Sequence, residues 1–136
     1  MAIRLRYKIE VSISSSTAEE KDLGNAVYEV VADSQGEGGS WKTQIPVSTT
    51  DMEIKLPNVA VARFLLLRTN AKDPTQSPVT IAVKRNGAGN EAIDVVPISG
   101  TEEGHFLLST DSLTSLFATN ASASVEMELT FFVAGD

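Results

Sequence analysis

The chain has one histidine, His105, and Ser109, Asp111 and Ser112 follow it closely. Serine, imidazole and carboxylate are the parts of a hydrolase that attacks an acyl carbon through the serine oxygen. That chemistry needs all three groups in hydrogen-bonded contact, with a pair of donors for the oxyanion. Residues this close along one strand and turn point in alternating directions, and no Gly-x-Ser-x-Gly elbow is present. His105 reads better as an ordinary histidine at the start of a strand. Glu19-Glu20 and Glu102-Glu103 are adjacent carboxylates of the kind used in glycoside acid–base work, but neighbours in a loop are ordinarily just solvated. The acidic, glycine-rich stretch Asp33 to Gly39 lacks the Asp-x-Asp-x-Asp-Gly register and terminal glutamate of a calcium loop. Asn86-Gly87-Ala88-Gly89-Asn90 lacks the Gly-Lys-Ser/Thr of a phosphate loop and precedes a strand, not a helix. The reading is therefore non-enzymatic, with no catalytic residue, no cofactor and no metal.

The residues better suited to contact than to reaction are Arg4, Arg6, Lys8 and Trp41. Trp41 is the only tryptophan. Exposed, it would stack on a sugar or fill a partner's pocket, with Tyr28 as a companion. The competing reading, a core or strand-edge tryptophan, is favoured by an aromatic content of only 6%. The 136 residues carry a net charge of −7, and the three cations among the first eight residues leave −10 on everything after them. An acidic body repels phosphate, so nucleic acid is not an expected partner. With no cysteine, a disulfide framework, cysteine-ligated metal and a thiol nucleophile are excluded. No apolar run has the length of a signal peptide or a membrane span, so neither export nor a membrane partner is expected. Asn120-Ala121-Ser122 matches a glycosylation sequon and reads as chance.

The elements that must carry these residues are strands. Ile3, Leu5, Tyr7, Ile9, Val11 and Ile13 alternate with Arg4, Arg6, Lys8, Glu10 and Ser12, and Val125, Met127, Leu129, Phe131 and Val133 alternate with Glu126, Glu128, Thr130 and Phe132. A period of two marks a ribbon with one dry and one wet face. Ten strands are expected, near 3–13, 26–32, 41–47, 51–56, 60–69, 79–84, 92–98, 105–109, 113–119 and 125–133. The 60–69 strand is expected to be central, and Pro46 marks an edge strand or a strand end. Pro57-Asn58 turns the chain, Asn86-Gly87 closes a hairpin, and Thr110-Asp111-Ser112 forms a turn. Thr17 with Glu20 has capping-box spacing and Gly24 suits a helix end, so residues 17–23 are either a short helix or an irregular loop. The fold class is all-β: one antiparallel, jelly-roll-like β-sandwich of about 8–10 strands over residues 1–136. Residues 1–8 would form a docking arm continuous with the first strand. Cations on strand one and anions on strand ten suggest two outcomes: the two strands pair within one sheet, or the arm grips an acidic partner.

The run Ala62-Arg63-Phe64-Leu65-Leu66-Leu67-Arg68-Thr69 leads to Val79-Thr80-Ile81-Ala82-Val83-Lys84 with Asn86-Gly87. Phe106-Leu107-Leu108, Thr110 to Leu116 and the terminal Val133-Ala134-Gly135-Asp136 continue the pattern. From residue 62 to 136 the chain resembles small β-sandwich virion proteins of tailed bacteriophages. The resemblance implies a capsid decoration or cement protein that binds the assembled head, located in a virion put together in the host cytoplasm. It implies the major capsid protein or another virion protein as partner, and a homo-oligomer, with a trimer favoured. Tail or neck components share the scaffold, and a carbohydrate- or receptor-binding module is the rival outside the virion.

Overall fold

A computed structural model describes residues 4–15, 18–31, 37–56, 59–87, 90–98 and 103–135. Side chains are described at Arg6, Lys8 and, within those ranges, from Ser40 onward except at 109–112. The ten strands are β1 Arg4–Ser15, β2 Ala18–Val31, β3 Glu37–Ile45, β4 Thr49–Ile54, β5 Ala62–Ala71, β6 Ile81–Arg85, β7 Ile93–Val95, β8 Gly104–Leu113, β9 Leu116–Asn120 and β10 Met127–Gly135. No helix occurs among the described residues.

Eight of these strands, β3 to β10, build two antiparallel four-stranded sheets, ordered β3-β10-β5-β8 and β4-β9-β6-β7. The pairing is nested. Of the eight, the first pairs with the last, the second with the seventh, the third with the sixth and the fourth with the fifth. That is one long antiparallel ribbon folded over on itself, the jelly-roll arrangement expected from the strand pattern. β5 lies between β10 and β8, so the most apolar strand is interior to its sheet. β3 lies at an edge and ends just before Pro46, where the lost N–H costs nothing.

The inner faces obey the period of two. Ile45 on β3, Leu65 and Leu67 on β5, and Met127, Leu129, Phe131 and Val133 on β10 are buried against Ile54, Ile81, Val83, Val95, Leu116 and Ala118 of the other sheet. Trp41, Phe106 and Leu108 pack on this core while half-buried. Near the base of β9, Asn120 is wholly buried; its Nδ2 donates to the carbonyls of Ile45 (3.3 Å) and Val125 (2.8 Å), and its Oδ1 accepts from the Ser122 amide (3.1 Å).

Three expectations are corrected. Residues 18–31 are strand, so neither the short helix nor the irregular loop over 17–23 forms there; Gly24 sits opposite Val11, beside a register shift, and not at a helix end. Thr110-Asp111-Ser112 is not a turn between strands. β8 runs through it, and the register steps from Phe64↔Ser109 to Ala62↔Leu113, so the three residues form a bulge. The turn is instead Thr114-Ser115, where the Asn86 Oδ1 accepts from the Thr114 amide at 2.8 Å. Finally, β1 does not lie beside β10. Both sides of β10 are occupied, by β3 and β5, and β1 pairs only with β2 in a separate two-stranded sheet. The Pro57-Asn58 turn lies outside the described residues.

Candidate interaction surface

The β1–β2 ribbon is the first feature that could meet a partner. Its register runs from Arg4↔Val31 to Ser15↔Ala18. Directly opposed residues share a face in an antiparallel pair. One face therefore carries Leu5, Tyr7 and Ile9 opposite Val30, Tyr28 and Ala26, and the other carries Arg4, Arg6 and Lys8 opposite Val31, Glu29 and Val27. Arg6 and Lys8 are exposed, and the residue in register with Arg6 is Glu29 of β2. The anions in and just before β10 have other partners: Glu128 of β10 meets Lys42 of β3 at 3.1 Å, and Glu126, one residue before the strand, meets Lys72 at 3.3 Å. The side chain of Arg4 lies outside the described residues.

Trp41 is directed to the inner face of its sheet. It lies opposite Phe131 of β10 and stacks on that ring, with centroids 6.0 Å apart and planes inclined by 27°. The ring is engaged by Phe131, and the residue is half-buried against the core. The ribbon residues and Trp41 thus belong to different parts of the molecule.

His105 is exposed on β8, and its Nε2 lies 3.2 Å from an oxygen of Glu103, an ion pair only when the ring is protonated. Ser109 is four residues along the same strand, about 13 Å away at the usual rise per residue. The backbone alone keeps this pair out of hydrogen-bond reach. Glu102 and the loop residues 33–36 lie outside the described residues, whereas Glu37, Gly38 and Gly39 belong to β3. Among the described residues no group of acidic or histidine side chains could hold a metal ion. The sequon residue Asn120 is wholly buried, so its amide nitrogen is not open to modification in the folded chain.

A second feature was not foreseen. Four of the five large apolar residues that stand exposed among the described ones, Ile93, Val96, Ile98 and Leu107, lie on β7, on β8 or in the segment joining them. β7 and β8 are the edge strands of the two sheets on the same side of the sandwich. They meet at Gly104, where an added Cβ would lie 2.9 Å from Val95 Cγ1 and 2.6 Å from Thr69 Oγ1. Beyond Gly104 they part, and a cleft of about 750 Å³ opens, with Phe106 and Leu108 on one side and Arg85, Asn86 and Ile93 on the other. The signal in the sequence was the run Phe106-Leu107-Leu108, in which no polar residue interrupts the alternation.

The chain matches no family model, no curated protein and no solved structure.

Proposed function

We propose that this chain is a non-enzymatic structural protein of a tailed-phage virion, acting as a decoration or cement protein on the assembled head. The observation that carries the reading is the β1–β2 ribbon, 12 and 14 residues per strand, which belongs to neither sheet of the sandwich. A lone two-stranded ribbon is marginally stable in water. It gains stability when a third surface covers its apolar face, and the major capsid protein in its shell lattice supplies such a surface. Binding the assembled lattice but not loose subunits then stabilises the shell by mass action. Repetition of the contact over a symmetric oligomer adds avidity. A jelly roll hosts many functions, so the fold supports this reading only by supplying a rigid body behind the ribbon. The placement of Trp41 against Phe131 argues against the glycan-binding alternative.

The test is co-sedimentation with purified heads and, separately, purified tails of the virion, each assembled without this protein. The expected result is saturable binding to heads that is lost on deletion of residues 1–31, which removes the ribbon. Binding to tails alone would move the protein to the neck or tail, and binding to neither would overturn the virion reading.

A further inference from the structure

We infer that the exposed edge of β8 is a self-complementary interface through which two copies of this chain join their β3-β10-β5-β8 sheets into one eight-stranded sheet. This goes beyond the head-binding reading and does not depend on it.

Each sandwich sheet has two edges, and natural proteins blunt such edges with proline, lysine, bulges or shortness. Three of the four edges here are blunted. β3 ends at Pro46 and displays Lys42, whose side chain is 62% exposed. β4 has a register shift between Thr49 and Met52, with Asp51 at φ 47°, and β7 has only three residues. β8 is different. From Gly104 to Ser109 its register with β5 is unbroken, and this stretch contains no proline and no lysine. Its bulge comes later, after Ser109, and leaves the ladder of this segment uninterrupted.

The residues of that segment are complementary to themselves. His105-Phe106-Leu107-Leu108-Ser109, run antiparallel against a second copy about a two-fold axis at Leu107, places Leu107 opposite Leu107, Phe106 opposite Leu108 and His105 opposite Ser109. Apolar residues meet apolar ones and polar meet polar. The rows of side chains across the sheet continue in step. On the outer face, Phe132 of β10 lies opposite Leu66 of β5, which lies opposite Leu107. This row stops at the open edge, where Leu107 is 41% exposed. Pairing carries it on through the second copy's Leu107 to its Leu66 and Phe132. On the inner face the half-buried Phe106 and Leu108, which border the open cleft, are brought against their counterparts and the cleft mouth is covered. The interface is isologous. It therefore yields pairs, in contrast to the trimer that the phage resemblance implies.

The experiment uses the full-length purified chain with no shell present, so head binding and self-pairing fail separately. By sedimentation equilibrium the wild type is expected at twice the 14.5 kDa chain mass. Leu107→Lys sets two ammonium groups face to face at the axis and is expected to halve the mass with an unchanged circular dichroism spectrum. The chain has no cysteine, which permits a direct geometric readout. Directly opposed residues of an antiparallel pair have Cα atoms about 4.5–5.5 Å apart, within disulfide range. Leu107→Cys is therefore expected to give a covalent dimer on mild oxidation, while Leu66→Cys, one strand back from the edge, is not. A wild-type mass of one or three chains, an unaltered dimer in Leu107→Lys, or equal cross-linking of the two cysteine variants would overturn the inference.

Discussion

Two buried polar side chains, one satisfied and one not, show how single residues set the stability of the sandwich. Asn120 is wholly buried, yet both of its functional ends are used, tying the end of β9 to the end of β3 and to the turn before β10. Truncation removes the amide and leaves those buried and part-buried backbone groups without it, where each lost partner costs on the order of 1–3 kcal/mol. Asn120→Ala is expected to destabilise the fold by about 2–3 kcal/mol, read as a lower urea midpoint with an unchanged m-value. Thr69 is the converse. It is wholly buried on the inner side of β5, and its hydroxyl finds no hydrogen-bond partner among the described residues. Thr69→Val keeps the branched shape and removes the orphaned hydroxyl, so it is expected to raise unfolding stability by about 1 kcal/mol. A loss of stability in that variant would mean that the hydroxyl is bonded in solution. The ion pairs Lys42–Glu128 and Lys72–Glu126 are partly exposed and contribute little beside these two groups.

At the scale of elements, strand existence was legible in the sequence, and strand boundaries and partners were less so. β10 and β5 announce themselves because alternation or dense apolarity continues over their whole length. At Met127, Leu129, Phe131 and Val133 every inward residue is buried. β2 was missed over residues 18–25 because Glu19, Glu20, Lys21 and Asp22 carry no apolar period. A strand outside the sandwich core needs none. The same residues also satisfy helix-capping spacing, and local propensity is overruled by ladder bonds to β1. Thr110-Asp111-Ser112 looked like a turn because turn residues and bulge residues share the same chemistry. The proposed β1–β10 pairing failed for a different reason. Charge complementarity is a pairwise property, while strand order is fixed by the whole sheet, and both sides of β10 are taken by β3 and β5. Of the contact residues, Trp41 lies two strand periods from the buried Ile45 and so shares its face, where it packs half-buried on the core. The open β8 edge was not legible, because a sequence shows which residues lie on a strand but not which strand lies last.

At the scale of the whole molecule, the chain divides into a ribbon, 4–31, and a sandwich, 37–135. The nested pairing makes the sandwich complete in itself. Its outermost pair, β3 with β10, closes the eight-stranded ribbon from Glu37↔Gly135 to Ile45↔Met127, and among the described residues no strand before Glu37 joins either sheet. On the proposed reading, the ribbon is the part that meets the shell, and the sandwich folds without it. Deletion of residues 1–31 is therefore expected to leave a cooperatively unfolding β-protein whose Tm, followed by circular dichroism, shifts by less than about 4 °C, equivalent to roughly 1 kcal/mol for a domain of this size. The same truncation is expected to abolish head binding while leaving the β8-mediated dimer intact, because the two surfaces share no strand. Phe64 makes the stability measurement a demanding one. It lies outside the core cluster, edge-on to Phe132 at 6.2 Å, yet only 2% of it is exposed. If the ribbon shields that ring, the truncated chain will melt well below the full one. The ribbon would then be a third layer of the fold, and its role as an arm for the shell would have to be given up.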